Sequence, residues 1–285
     1  MTAAPRRAPS ATASLAGRRV GFIGAGRIGS PMVQMLVGRG AEVTVQARRE
    51  AVRDALAGPG CRAVADIADL GRDNEVVISC LFSDAQFSSI EDEIADVLAP
   101  GSVFASHTTG SPATLRRFAE ALAAQGRDAQ VVDAPFSGTQ EHILAASLTV
   151  MLGGAPGAVD IVEPVVRSYA DPVIRTGELG SALLLKLLNN VLFAANVQLG
   201  LEVTDVAQQA GIPLASVYEV FAASSGGTRA IEYMREFESP QHYADETRSF
   251  IRKDVAACEQ VAAEVGLDLG LLGRVARDGR LDVDS

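Results

Sequence analysis

The 285-residue chain carries a formal charge of −10 and is 48% hydrophobic. That apolar content excludes a disordered chain, and the length allows two domains, each with its own core. The acidic balance excludes a broad nucleic-acid-binding face, because phosphate backbones demand clustered Lys and Arg; a small molecule is the expected partner.

Residues 1–15 are rich in Ala, Pro, Thr and Ser and lack the apolar stretch of a secretory signal, so they read as a disordered tail. No stretch reads as an uninterrupted membrane span, and a cytoplasmic protein is expected. Val20-Gly21-Phe22-Ile23 then reads as a short strand, followed by Gly24-Ala25-Gly26-Arg27-Ile28-Gly29. Pro31 to Val37 has helical spacing, and Glu42-Val43-Thr44-Val45 reads as a second strand. This is one βαβ unit with a G-x-G-x-x-G turn, the pattern of a dinucleotide site. The first glycine permits the tight turn, the second lets backbone approach a pyrophosphate, and the third lets helix pack on strand. The alternative is a turn that only closes the strand–helix packing. After the second strand, where an NAD site usually carries Asp or Glu, stand Arg48 and Arg49, with Glu50 beyond. A guanidinium fork suits a phosphate, so NADP(H) is favoured, with NAD(H) kept open by Glu50.

Further along, Glu75 to Leu81 reads as a buried strand that leaves Leu81 as a candidate cofactor contact. Val103-Phe104-Ala105 is a shorter strand, and Pro112 to Ala124 a helix with Ser111 as its N-cap. Thr108 and Thr109 lie between them and are candidates to face a nicotinamide. Gln130 to Asp133 is another strand, Leu148 to Leu152 a late edge strand, and Val173-Ile174-Arg175 the last. This alternation predicts a Rossmann-type, doubly wound, mostly parallel α/β sheet over 16–179. In the turn Asp133-Ala134-Pro135-Phe136-Ser137-Gly138-Thr139, Ser137 offers a hydroxyl, and Gly138 gives an anion such as a carboxylate access to backbone N–H groups. A turn with no ligand is the alternative.

From 180 the pattern changes to an all-helical domain over 180–285. Residues 181–210 read as one helix, apolar nearly all round, which predicts burial on most sides. Residues 212–285 are too few to enclose it, so another subunit is expected to complete that core. Within the helix, Lys186 sits among leucines. A lysine there is costly unless it faces a polar cleft, and desolvation would bring its pKa from about 10.4 toward the range for proton transfer. Asn190, four residues on, shares its face. A snorkelling lysine at a helix edge is the alternative. Cys61, Cys80 and Cys258 have no disulfide or metal spacing, and His107, His142 and His242 form no metal-binding pair; no metal site is expected.

Over residues 18–284 the chain resembles the β-hydroxyacid dehydrogenase family, which includes 3-hydroxyisobutyrate dehydrogenase. The motifs that carry the likeness are the loop Gly24 to Gly29, the turn Asp133 to Gly138, the helix Gly180 to Asn190 and Lys253-Asp254. The resemblance implies a Rossmann-type domain, a helical domain built on the long helix, and a homodimer or homotetramer. It implies Lys186 as the proton-transferring residue with Asn190 as its partner in substrate binding. It places Ser137 and Gly138, with Thr139 beside them, on the substrate carboxylate, Thr109 by the cofactor, and Lys253 at the closed cleft in reach of the cofactor. The chain departs from the family pattern at Thr139 and Ala146, where glycines are usual, and at Ser106, often Asp. Ala182 replaces a further glycine, and Leu183 a polar residue. Leu183 is expected to make the pocket less polar and to favour a bulkier substrate than 3-hydroxyisobutyrate. An imine reductase and a non-catalytic NADPH sensor are the rival functions.

Overall fold

The computed structural model describes residues 14–283. The expected tail lies outside them except at its end. There Leu15 is buried and its N–H donates to the Arg39 carbonyl, so ordered packing begins before residue 16.

The described chain forms two compact units, one ending at Lys186 and the next beginning at Leu187. The first opens with β1 (Arg19–Ile23), α1 (Gly29–Gly38), β2 (Glu42–Gln46), α2 (Glu50–Leu56) and β3 (Cys61–Val64). A 3₁₀ turn over Ile67–Leu70 leads to β4 (Val76–Ser79), α3 (Asp84–Ser88), α4 (Glu91–Val97), β5 (Ser102–Ser106) and α5 (Pro112–Ala124). Then come β6 (Ala129–Asp133), β7 (Phe136–Ser137), α6 (Gln140–Leu144), β8 (Leu148–Gly153), α7 (Pro156–Val166) and β9 (Ala170–Gly177). The strands run in the order β3-β2-β1-β4-β5-β6, all parallel, and β8 continues the sheet antiparallel to β6.

Both faces of this sheet are covered, as a doubly wound fold requires, and β4 and β5 are buried at every residue. On one face Met32, Val33 and Leu36 of α1 and Val159, Val162 and Val166 of α7 pack with Val20, Phe22, Val45 and Ile78. On the other, Phe87, Ile94, Leu115 and Phe118 pack with Val77 and Phe104, and the Phe87 and Phe118 rings meet edge-on at 5.3 Å. The N-cap of α5 is as expected, with the Ser111 hydroxyl accepting from the Ala113 N–H. One expectation fails here. β8 is an interior strand, because β9 pairs parallel along it while β6 and β7 pair antiparallel on its other side. Its apolar run gave its burial, but pairing partners alone decide which strand forms the edge.

α8 (Ser181–Gln209) runs from the first unit into the second, where α9 (Leu214–Ala223), α10 (Arg229–Met234), α11 (Pro240–Glu264) and α12 (Gly270–Arg277) come after it. α10 packs directly on α8 at Gly200, where an added Cβ would lie 2.9 Å from Met234 Cε. The buried Gln198 amide clamps the chain end, donating to the Ala276 and Leu281 carbonyls and accepting from the Leu281 N–H. By length and composition α8 could cross a membrane, contrary to the sequence expectation, but its Ala194, Val197 and Leu201 are buried. This chain alone does not bury the helix on most sides, and the expectation left the remainder to another subunit. Leu192, Leu199 and Val206 are 52%, 53% and 62% exposed, so one face stays uncovered within the chain.

Candidate active site

The sheet order reverses between β1 and β4, and the crevice outside the carboxyl ends of strands at such a switch point is where open α/β sheets bind ligands. The glycine loop leaves β1 at this point. Gly24 has φ +95°, and a Cβ there would lie 2.4 Å from the Cys80 carbonyl oxygen beyond β4. A Cβ on Gly29 would lie 2.2 Å from the Gly24 carbonyl oxygen and 3.0 Å from the Phe22 ring. Only Gly26 faces open space, with nothing within 4 Å of an added Cβ. The loop therefore has a turn that only glycine takes without strain, an open middle and a tight helix contact, which fits a dinucleotide pyrophosphate at the start of α1. Ala25 is buried, Arg27 is exposed and Ile28 is partly covered.

Around the loop, Arg48 and Arg49 are exposed beyond β2, and Arg53 ties that turn by donating to the Ala47 and Arg48 carbonyls. Leu81 follows β4, its N–H donating to the Thr108 hydroxyl beyond β5. Thr109 is exposed just after. The next turn is pinned by Asp84, which accepts from the Ser111 N–H. Phe82, 78% exposed beside Leu81, is an aromatic at the crevice that sequence reasoning misses; the one available signal is a large apolar residue in a polar turn.

The segment Asp133–Gly138 runs from the last residue of β6 through β7, where Phe136 and Ser137 pair antiparallel with β8, so part of the expected turn is strand. Gly138 has φ +137° and an added Cβ would press on Leu148 and His142, so this turn requires glycine. Thr139 directly precedes α6 and bonds into its first turn: its N–H donates to His142 Nδ1, and its hydroxyl bonds the same ring and Glu141. Those bonds order the turn and leave Ser137 and the exposed Gly138 as its open groups. Beneath it, buried His107 donates from Nδ1 to the Ala134 carbonyl and accepts at Nε2 from the Tyr169 hydroxyl. Burial lowers the His107 pKa to about 4, against the opposing pull of the Ala134 bond, so the ring is neutral. Asp133 is fully buried, and its carboxylate accepts from the Gly180 and Leu183 N–H groups, each at 2.8 Å, at the start of α8. Burial raises its pKa although these bonds oppose the rise.

Lys186 is half-buried in the second turn of α8. Leu183 does not line a pocket: it is 1% exposed and packs with Phe104, Leu115 and Phe118. The expectation of a less polar pocket on its account therefore falls, because the helix turns this position toward the sheet. Ala182 is also fully buried, and Ser106 is buried with its hydroxyl accepting from the Thr108 N–H. Ala146, where the family has glycine, keeps a left-handed φ of 51°. In the second unit, Asn190 is buried and donates to the Asp254 carboxylate at 3.0 Å, while Lys253 is exposed on α11.

This sheet, its open glycine loop and the polar segments at the strand ends define a dinucleotide-binding protein of the Rossmann class. Residues 19–180 match the model for the NAD-binding domain of 6-phosphogluconate dehydrogenase, and residues 180–277 match the model described as NAD-binding of NADP-dependent 3-hydroxyisobutyrate dehydrogenase. The chain belongs to the β-hydroxyacid dehydrogenase family and is an NAD(P)-dependent dehydrogenase. It is 30% identical over 267 residues to an oxidoreductase of Mycobacterium tuberculosis, covering 89% of each chain. It is 26% identical to an NAD-dependent L-serine dehydrogenase of Pseudomonas aeruginosa, over 82% of this chain and 78% of that one. In fold it is similar to the 3-hydroxyisobutyrate dehydrogenase of Mycobacterium tuberculosis, with a TM-score of 0.81 at 22% identity, covering 93% and 96% of the two chains.

Proposed function

We propose that this protein is a cytoplasmic, NADP(H)-dependent dehydrogenase of a small β-hydroxy acid, or a reductase of the matching aldehyde or keto acid. The observation that carries this reading is the direct bond between the Asp133–Gly138 segment and the start of the helix bearing Lys186. It ties an anion-binding turn to a proton-transfer group. When bound, the nicotinamide supplies or takes up hydride at the carbon bearing the oxygen. Lys186 takes the hydroxyl proton in oxidation and returns it to the developing alkoxide in reduction. The Ser137 hydroxyl and Gly138 N–H hold the carboxylate, and Asn190, steadied by Asp254, fixes the reacting oxygen. Arg48 and Arg49 take the ribose phosphate, while Gly24 to Gly29, Leu81, Thr109 and Lys253 hold the rest of the cofactor.

The test is NADPH and NADH consumption by wild type and Lys186→Ala against short aldehyde and keto acids. Wild type turns over with NADPH preferred. Lys186→Ala still binds NADPH but loses turnover by about 100-fold or more. Reduction of cyclic imines alone would replace this reading with the imine reductase, and NADPH binding without any turnover would replace it with a sensor.

A further inference from the structure

α8 begins without a cap of its own. Its flanking residue is Gly180, which has no side chain to accept from the first-turn N–H groups that every helix leaves orphaned. Gly180 is held at φ +94°, where an added Cβ would lie 2.8 Å from Pro112 Cβ, so a capping side chain has no room. The acceptor comes from elsewhere. Asp133, 47 and 50 residues upstream of its two donors, reaches Gly180 N–H with one oxygen and Leu183 N–H with the other. The surroundings are shaped to this bond. Gly153 faces it on β8, and a Cβ there would lie 2.4 Å from Asp133 Oδ1 and 2.8 Å from the Ser181 hydroxyl. The Ser181 hydroxyl in turn bonds Thr176 at 2.7 Å.

We infer that Asp133 is a positioning residue that sets Lys186 relative to the substrate turn. Asp133 is four residues before Ser137 on one short segment, and Leu183 is three residues before Lys186 on one helix. A single buried carboxylate thus joins both chain pieces in a fixed register. It also meets the positive end of the α8 dipole, so the anchor is favoured electrostatically as well as by hydrogen bonding. Asp133 touches neither substrate nor cofactor and acts through Lys186. The inference rests on Lys186 as the proton-transfer group.

The test is a double-mutant cycle on the full-length enzyme. Asp133→Asn removes the charge and one acceptor with little change in volume. It is expected to fold, to bind NADPH as wild type does, and to lose kcat by about 100-fold with KM little changed, the effect of a misplacement near 1 Å. In the Lys186→Ala background the same change costs no further turnover. Wild-type kcat in Asp133→Asn, or losses that multiply across the cycle, overturn the inference. Full turnover in Lys186→Ala alone overturns the reading beneath it instead, so the two failures are separable. If Asp133→Asn does not fold, Asp133→Glu keeps the charge and both acceptors while pushing the helix start away. There kcat is expected to fall with NADPH affinity unchanged, and full turnover in the folded variant counts against the anchor.

Discussion

Arg48 and Arg49 are exposed where an NAD site usually carries a carboxylate to bind the ribose hydroxyls, with Glu50 next in the chain. Each guanidinium–phosphate contact is worth about 1.5–3 kcal/mol. Arg48→Ala combined with Arg49→Ala is therefore expected to weaken NADPH by at least about 10-fold while leaving NADH nearly unchanged. Titrating both nucleotides by fluorescence checks this, and equal losses for the two would remove the arginines from the phosphate. His107 makes stability depend on pH. Its ring is held neutral with a pKa of about 4, while in the unfolded chain it titrates near 6.5. A folded value below the unfolded one means that the unfolded state binds the proton first as pH falls. The stability that the neutral ring contributes is thus complete above about 6.5 and is lost down to about 4. Between pH 7 and pH 5 this group alone removes about 2 kcal/mol. Urea unfolding at both pH values should show wild type losing more over that interval than His107→Gln, which starts out less stable. Equal losses would mean that His107 is not neutral in the folded protein.

Among the elements, the glycine loop separates folding from binding within six residues. Gly24 and Gly29 cannot accept a side chain without collision, but Gly26 faces open space. Gly26→Ala should therefore leave thermal stability within about 0.5 kcal/mol of wild type. If backbone closely approaches the pyrophosphate, the same methyl should weaken cofactor binding by about 10-fold or more. Unchanged affinity would put the cofactor elsewhere. This loop is legible in the sequence because its chemistry is local: strand, turn and helix start are read from adjacent residues, as is the Ser111-Pro112 start of α5. What the sequence hides depends on distant partners. Cys61-Arg62-Ala63-Val64 alternates too weakly to announce a strand and becomes β3 because β2 is there to pair with it. Nothing near Asp133 says that its carboxylate caps a helix 47 residues away. Leu183 reads as a pocket residue and is not one, because helical spacing alone does not tell which face meets the sheet.

The whole molecule leaves one surface unexplained by a single chain. Along α8, Leu185, Leu192, Leu199 and Val206 repeat every seven residues, and all are exposed. Asn189, Asn196 and Val203 fall between them at alternating steps of four and three, completing the seam of a helix that pairs with another helix. Asparagines within such a seam lower its stability but fix its register, which suits pairing with one defined partner. A second copy of this chain offers the same stripe, and a two-fold axis would set it against itself. This supports the proposal that the enzyme is a homodimer, or a homotetramer built from such pairs. Leu192→Glu with Leu199→Glu places two carboxylates in the middle of the stripe and touches no buried position within the chain. Light scattering on the eluting protein should then show an oligomer for wild type and a monomer for the double variant, with α-helical circular dichroism kept. A monomeric wild type would remove self-association through α8, and an oligomer that survives both glutamates would move the interface to another face.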